Sequence, residues 1–212
     1  MKLGSAPSNM QTEATPAQAD VSELELVRQC QAGQADAFDQ LVTRYRTRVF
    51  AMIYNMVHNE QDAWDLAQES FLKAWRSIKR FRGKSSFYTW MYRIVMNVTI
   101  DWLRKRQVKG TGMEFDDSIQ LKEIDPASKT LPKADPLPHT RMERAEVRAR
   151  IDGAIQQLSP DHRAVILMKE IEEMQYHEIA EALGCSIGTV MSRLFYARKK
   201  LQNLLRDVYE NV

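Results

Sequence analysis

Apolar residues recur at helical spacing through the first half of the chain. Between residues 38 and 57 they fall three or four positions apart, which is the pattern of one face of a long amphipathic helix. The same spacing runs from residue 63 to residue 78, and it resumes at Trp90 after a loop that Gly83 marks. These stripes predict a bundle of about four helices over residues 22–107.

The stretch from residue 108 to residue 140 interrupts this pattern with four prolines, two glycines and six acidic residues. Such a composition offers too few apolar residues to pack, so we expect a flexible acidic linker. Helical spacing returns over residues 141–212, where Ser159 suits an N-cap and Pro160 the first position of a helix. The chain is therefore predicted to be all-α, with two small helical domains joined by the linker. Residues 1–21, rich in Ala, Ser, Pro, Gln and Thr, are predicted to be a disordered N-terminal extension.

Seven residues near the C-terminus occupy positions that a helix-turn-helix requires. Gly184 would form the turn and Ala180 would let the two helices approach closely, while Ser186 would cap the second helix. The remaining five residues are expected to fill the shared core: Ile179, Leu183, Ile187, Val190 and Leu194. The alternative is an ordinary helical hairpin with a solvated basic face, but the turn at Gly184 favours DNA binding.

The second helix of this motif carries five basic residues and no acidic residue between positions 187 and 206. This charge favours contacts with phosphates. Because such a helix enters the major groove by its N-terminal turns, four side chains are expected near base edges or backbone: Thr189, Met191, Ser192 and Tyr196. Three basic residues are suited to phosphates: Arg193, Arg198 and Lys199.

A second basic segment lies between residues 73 and 109, where eleven basic residues oppose a single acid and seven aromatic residues are interleaved. A positive surface with exposed rings suits unpaired bases, since each stacked base gains about 1–3 kcal/mol. The alternative is that the rings are core and the charges are merely solvated. We expect the core for Trp75, Trp90 and Trp102, which follow the apolar stripes, and exposure for Phe87 and Tyr88, which flank the loop.

The composition excludes several other classes of protein. Cys30 and Cys185 are far apart, and the four histidines have no ligand spacing, so neither a metal site nor a cofactor is expected. The sequence contains no phosphate-binding glycine loop and no nucleophile elbow, so catalysis is not expected. It has no apolar run of signal-peptide or membrane-spanning length, which favours the cytoplasm.

Two sets of motifs resemble the extracytoplasmic-function (ECF) sigma factors of RNA polymerase. The strings DLAQESFLKAW (65–75), FRG (81–83) and FYTWMYRI (87–94) are similar to region 2 of that family. LSP (158–160), YHEIA (176–180) and GTVMSRL (188–194) are similar to its region 4. The resemblance spans roughly residues 22–205 and joins two independent motifs in the expected order.

This resemblance implies a factor that binds core polymerase, recognises the minus-35 and minus-10 promoter elements and promotes strand opening. Binding to the β′ clamp helices is implied for Asp65, Gln68 and Glu69, and region 4 is expected at the β flap. Minus-10 recognition and melting are implied for Arg82, Phe87, Tyr88, Trp90, Arg93 and Asn97. Minus-35 contacts are implied for Ser186, Thr189, Met191, Ser192, Arg193, Tyr196, Arg198 and Lys199. An anti-sigma factor is a further partner, since many relatives have one.

Two positions depart from the family pattern. Relatives commonly carry Lys or Arg in place of Met191, and Arg in place of Tyr196. DNA binding survives these changes, but the base preference of relatives does not carry over. Two other functions remain open on the sequence: a helix-turn-helix regulator that acts without polymerase, and a sigma mimic that sequesters an anti-sigma factor. The first would not need the acidic helix or the basic aromatic segment, and the second would tolerate loss of the aromatic loop.

Overall fold

The computed structural model of the chain describes residues 22–110 and 141–206. Over those residues the chain forms α-helices and a short 3₁₀ turn at Ile78–Arg80, with no strand, which confirms the all-α prediction. The helices are α1 (Glu23–Gln31), α2 (Ala35–Val57), α3 (Glu60–Ser77), α4 (Phe87–Gly110), α5 (Arg141–Gln156), α6 (Pro160–Glu170), α7 (Tyr176–Leu183) and α8 (Ile187–Leu204). None of these described helices combines the length and the apolar character that a membrane span requires.

The first four helices form one bundle around α2, which packs against α1, α3 and α4. The buried face of α2 carries Leu41, Val49, Ile53 and Met56, at the helical spacing that the sequence pattern predicted. The helix ends at His58, whose backbone is left-handed at φ 53° and donates to the carbonyl of Tyr54. The predicted four-helix bundle is thus confirmed.

The second half, α5 to α8, is built around α6. Ser159 caps α6 by accepting from the backbone N–H of His162 at 3.4 Å, and Pro160 occupies the first position, as predicted. Residues 164–168 are all buried, which a helix shows only when neighbours cover it on more than one side. Helices α7 and α8 cover one part of α6, and α2 and α4 of the first half cover another.

The two halves therefore contact each other, mainly through α4 against α7 and through α2 and α4 against α6. Arg163 of α6 is buried in this region and donates to the carbonyl of Met56 at the end of α2. It also donates to carbonyls of its own half, to Ile155 at 3.1 Å and Leu158 at 3.2 Å. Burial lowers the pKa of Arg163, but a guanidinium stays charged in proteins, so these acceptors stabilise it.

Helix α4 continues through residues 108–110, the first three residues of the predicted linker. No helix-breaking residue precedes Gly110 in that stretch, so the helix propagates to it. The remainder of the predicted linker, the predicted disordered extension at residues 1–21 and the last six residues lie outside the described residues. The predicted boundaries of the two domains stay predictions.

Candidate nucleic-acid interface

The helix-turn-helix consists of α7, a three-residue turn and α8. Gly184 forms the turn in the left-handed conformation, at φ 64°, as predicted. Ser186 caps α8, and its hydroxyl accepts from the backbone N–H of Thr189 at 3.0 Å. Ile179, Val190 and Leu194 are fully buried between the two helices, so this part of the predicted core is confirmed.

Ile187 is the exception in that predicted core, because its side chain is exposed. The buried positions of α8 are Val190, Leu194 and Ala197, at i, i+4 and i+7, and Ile187 precedes this run at the start of the helix. Met191 is exposed as well, so its side chain is not part of the core.

The polar side chains of α8 divide into two groups. Ser192 is exposed, whereas Thr189 and Tyr196 are half-buried. The basic side chains are partly engaged within their own half: Arg193 pairs with Asp161, and Arg198 pairs with Glu170 at 2.7 Å. The second of these contacts raises the pKa of Arg198. The net charge that α8 offers to DNA is therefore smaller than its five basic residues suggest.

The basic aromatic segment places Phe87 differently from the prediction. Phe87 is buried, with its ring centroid 5.6 Å from that of Tyr45 and 5.5 Å from that of Trp90. The expectation of exposure was wrong because Phe87 begins α4 on the same face as the buried Met91 and therefore joins the core. Trp75, Trp90 and Trp102 are partly buried and pack against the core, as expected for rings on apolar stripes.

Three predicted minus-10 residues lie on the accessible surface. Arg82 is exposed in the loop before α4, and Arg93 and Asn97 are exposed on α4 itself. Arg93 and Asn97 are four positions apart, so they share one face of the helix. Tyr88 is half-buried near the start of the same helix, and the guanidinium of Arg48 lies 5.1 Å from its ring centroid.

Two acidic residues of the second half contact the start of α4, one at Tyr88 and the other at Thr89. The Tyr88 hydroxyl donates to the carboxylate of Glu172, which also lies 3.5 Å from the Nε of Arg48. The neighbouring Thr89 contacts Glu178 of α7, with 3.3 Å between the two oxygens. Burial raises the pKa of Tyr88, and the bond to Glu172 raises it further, so Tyr88 is neutral and serves as the donor. The Glu172 side chain is only 6% exposed, so this carboxylate lies well inside the contact between the halves.

The acidic face of α3 carries the predicted polymerase contacts. Asp65, Gln68 and Glu69 are all exposed, since the buried face of α3 consists of small and apolar residues. Gln61 donates to Asp65 at 3.3 Å, and Glu69 forms an ion pair with Lys73 at 2.7 Å. Both contacts span four positions along the helix and leave the carboxylates accessible to a partner.

Sequence reasoning missed several exposed or contacting residues near these surfaces. Trp64 and Leu72 are exposed on α3 beside the acidic face, and both lie off the buried stripe of that helix, which is the signal that could have identified them. Arg48 and Glu172 have no such local signal, because their contact joins distant parts of the chain. Within the described residues, no cluster of His, Cys, Asp and Glu side chains could hold a metal ion.

Comparison with known families bears directly on these surfaces. A family model of Sigma-70 region 2 matches residues 41–108, and one of Sigma-70 region 4 matches residues 148–201. The ECF RNA polymerase sigma-E factor of Haemophilus influenzae is 32% identical over 191 residues, which cover 86% of this chain and 95% of that protein. The chain belongs to the ECF sigma factors. It is an RNA polymerase sigma factor that binds core polymerase and promoter DNA for transcription initiation.

Other relatives agree with this family. The RNA polymerase sigma-H factor of Pseudomonas aeruginosa is 39% identical to this sigma factor over 189 residues, covering 86% of this chain and 95% of the relative. The ECF sigma-E factor of Escherichia coli K12 is 34% identical over 183 residues, with coverage of 86% and 94%.

Two solved structures share the fold of this sigma factor. One is CnrH in complex with the cytosolic domain of CnrY, with a TM-score of 0.61 and 26% identity over 86% of this chain and 96% of that one. The other is the sigma factor RpoE in complex with the anti-sigma factor NepR from Bartonella quintana, with a TM-score of 0.56 and 26% identity over 80% and 96%.

Proposed function

We propose that α4 of this sigma factor captures unpaired bases of the minus-10 element. The observation that carries the proposal is the shared face of Arg93 and Asn97, exposed on a helix whose opposite side is core. A guanidinium suits the backbone charge, and an amide can donate and accept on the edge of an extruded base. Arg82 adds charge from the preceding loop. Phe87 and Trp90 support this surface from beneath rather than contact bases.

The acidic face of α3 is proposed to bind the β′ clamp helices of core polymerase. Its three candidates, Asp65, Gln68 and Glu69, are exposed together and can be reached by a basic partner. The helix-turn-helix is proposed to read the minus-35 element and to lie near the β flap. Residues 108–140 would then connect the two DNA-binding halves through the polymerase.

Tyr88 can join this base capture only when the two halves part. Tyr88 is covered by Glu172 and Thr89 is held by Glu178 when the halves are in contact. Core polymerase, by binding both halves at separate sites, would supply the free energy for this separation. The free sigma factor is thus proposed to be closed, and the polymerase-bound form to be open.

The proposed chemistry involves no covalent step, so we place the protein outside the enzymes. Strand separation would be driven by binding energy, because extruding a base costs a few kcal/mol and a polar, aromatic surface offsets that cost. We place it in the cytoplasm, where polymerase acts. An anti-sigma factor is proposed as a further partner, by analogy with the complex of RpoE and NepR from Bartonella quintana.

Permanganate footprinting on a promoter that the holoenzyme recognises tests the melting role. Asn97→Ala and Tyr88→Ala are expected to bind duplex promoter normally and to give less reactivity at thymines near the start site. Gln40→Ala, an exposed amide on α2, is the matched control and is expected to behave like wild type. A premelted template should restore transcription by both variants. Normal melting by both, or no rescue by premelting, would contradict the role proposed for α4.

A further inference from the structure

Three apolar side chains form an exposed stripe along the recognition helix α8. Ile187, Met191 and Phe195 are 48%, 54% and 53% exposed, and they follow one another at i, i+4 and i+8. The fold does not use them, since the buried positions of α8 are Val190, Leu194 and Ala197. Residues four positions apart lie on the same side of a helix, so the stripe runs along the exposed side of α8.

The surroundings of this stripe suit a polyanion. Gly188 and Ser192 lie next to it on the exposed surface, and residues 187–206 include no acid. A Cβ at Gly188 would meet only Ser186 Oγ, at the ordinary contact distance of 3.7 Å, so internal packing does not require glycine here. A bare backbone in the first turn permits close approach of another molecule to the helix. The lack of acidic residues at positions 187–206 and the open backbone at Gly188 both favour DNA, rather than an apolar protein surface, as the partner of the stripe.

We propose that the stripe reads the C5 methyl groups of thymines in the major groove of the minus-35 element. The inference rests on the proposed role of α8 at that element and adds the chemistry of its recognition. Thymine presents the one methyl group among the four bases in that groove, and apolar side chains contact it rather than hydrogen-bonding groups. Isoleucine, methionine and phenylalanine cannot donate to guanine, and the methionine thioether is only a weak acceptor, so thymine is the base they distinguish best.

The spacing of the stripe defines a pattern in the DNA. Four residues of α-helix rise about 6 Å along the axis, and successive base pairs of DNA rise about 3.4 Å. Neighbouring members of the stripe therefore lie about two base-pair steps apart. The ring of Phe195 contacts that of Tyr196 edge-on, with 5.4 Å between centroids at 77°. The preferred minus-35 sequence of this sigma factor should carry thymines, on either strand, at that separation.

Deoxyuridine provides a direct test, because it differs from thymidine in the major groove only by the missing methyl. A minus-35 motif is first selected from a randomised duplex library with the full chain in holoenzyme. Each thymine is then replaced by deoxyuridine, one at a time, and affinity is measured by competition at fixed salt. Loss of a contacted methyl is expected to weaken binding about fourfold, the factor that corresponds to about 0.8 kcal/mol per buried carbon. Thymines outside the motif should show no change.

A double-mutant cycle shows which side chain of the stripe contacts each thymine methyl group. In Met191→Ala, the loss of affinity that deoxyuridine causes (the deoxyuridine penalty) is expected to disappear at one position and to persist at the others. The slope of log affinity against log salt should stay as in wild type. Leu24→Ala is the matched control, because Leu24 is 54% exposed like Met191 but lies on α1. Phe195→Ala should remove the penalty about two base pairs away from the position that Met191 reads.

The outcomes separate this inference from the function on which it rests. The inference would be wrong if the deoxyuridine penalties persist unchanged in Met191→Ala and Phe195→Ala. It would also be wrong if deoxyuridine causes no loss of affinity at any position. A selected motif and a normal salt slope in that same experiment would leave the minus-35 role of α8 intact. Failure of the holoenzyme to select any minus-35 motif would instead remove the proposed function and this inference with it.

Discussion

Arg193 of the recognition helix and Asp161 of α6 form an ion pair, with 3.3 Å between Nη1 and Oδ1. The side chains are shielded, at 24% and 15% exposure. The same carboxylate lies 3.2 Å from Arg104 of the first half. Arg193 therefore fixes α8 against α6, a role that the sequence pattern, which suggested only phosphate binding, did not reveal.

This pairing predicts different effects for two basic residues of α8. Arg193→Ala should lower the free energy of unfolding by about 1–2 kcal/mol, since its pair is more buried than exposed pairs, which contribute about 0–1 kcal/mol. Lys199→Ala should change stability by less than about 0.5 kcal/mol and lower the slope of log affinity against log salt by about one. Urea unfolding and DNA binding at several salt concentrations measure both effects. An unchanged salt slope in Lys199→Ala would remove Lys199 from the phosphate contacts.

The acidic face of α3 predicts a salt-dependent loss of polymerase binding. Asp65→Lys should weaken binding to core polymerase by about tenfold, mostly through slower association, and the loss should shrink as salt rises. Asp39→Lys on α2 is an exposed charge reversal outside this face and should bind normally. Competition with labelled wild type for core polymerase at two salt concentrations gives the comparison. Equal weakening by both reversals would point to net charge rather than to a specific face.

Two glycines predict opposite changes in stability. Gly184→Ala should destabilise the protein by about 1 kcal/mol, because alanine is strained at φ 64° although its Cβ would meet no atom within 4 Å. Gly153→Ala should stabilise it by about 0.5–1 kcal/mol, because Gly153 lies inside α5 with equally open space around it. Urea denaturation of the two variants side by side measures the difference. A destabilised Gly153→Ala would show that α5 does not hold its helical conformation in solution.

The contact of Glu172 with Arg48 and Tyr88 predicts that the free chain masks its own base-binding surface. Glu172→Gln keeps the shape and removes the charge, so it should favour the open form by about 1 kcal/mol and tighten binding of a single-stranded minus-10 oligonucleotide roughly fivefold. Glu173→Gln is the matched control, because that neighbouring side chain is exposed. Fluorescence anisotropy on the full chain reports the affinity. Identical affinities in wild type and both variants would mean that this contact does not limit access to Tyr88.

Local features were predictable from the sequence because their causes are local. The cap at Ser159, the turn at Gly184 and the buried stripe of α2 each depend on residues within a few positions of one another. The first residues of α4 and α8 were assigned to the wrong environment, Phe87 to solvent and Ile187 to the core. Periodicity is least informative at helix ends, where a side chain has neighbours on only one side along the helix.

Contacts between the halves could not be predicted for a different reason. Nothing in the spacing of residues shows that a carboxylate after α6 meets an arginine of α2. Solvated charges and paired charges have the same appearance in a sequence, and only the fold decides between them. The acidic face of α3 was predictable because it needs one helix, whereas the closed surface around Tyr88 needs several.

Arg163 gives the junction between the halves an uneven division of hydrogen bonds. Its guanidinium holds three carbonyls near the end of α5, those of Ile155, Gln156 and Leu158, but one carbonyl across the junction, that of Met56. In the open form proposed for the polymerase-bound protein, water would replace a single acceptor and the other three would remain in place. The hydrogen bonds between α5 and α6 would therefore stay in place in the second half, and rejoining would need no refolding there. The proposed opening would therefore follow a junction at which Arg163 keeps most of its hydrogen bonds on one side, so that the second half would retain its own internal contacts.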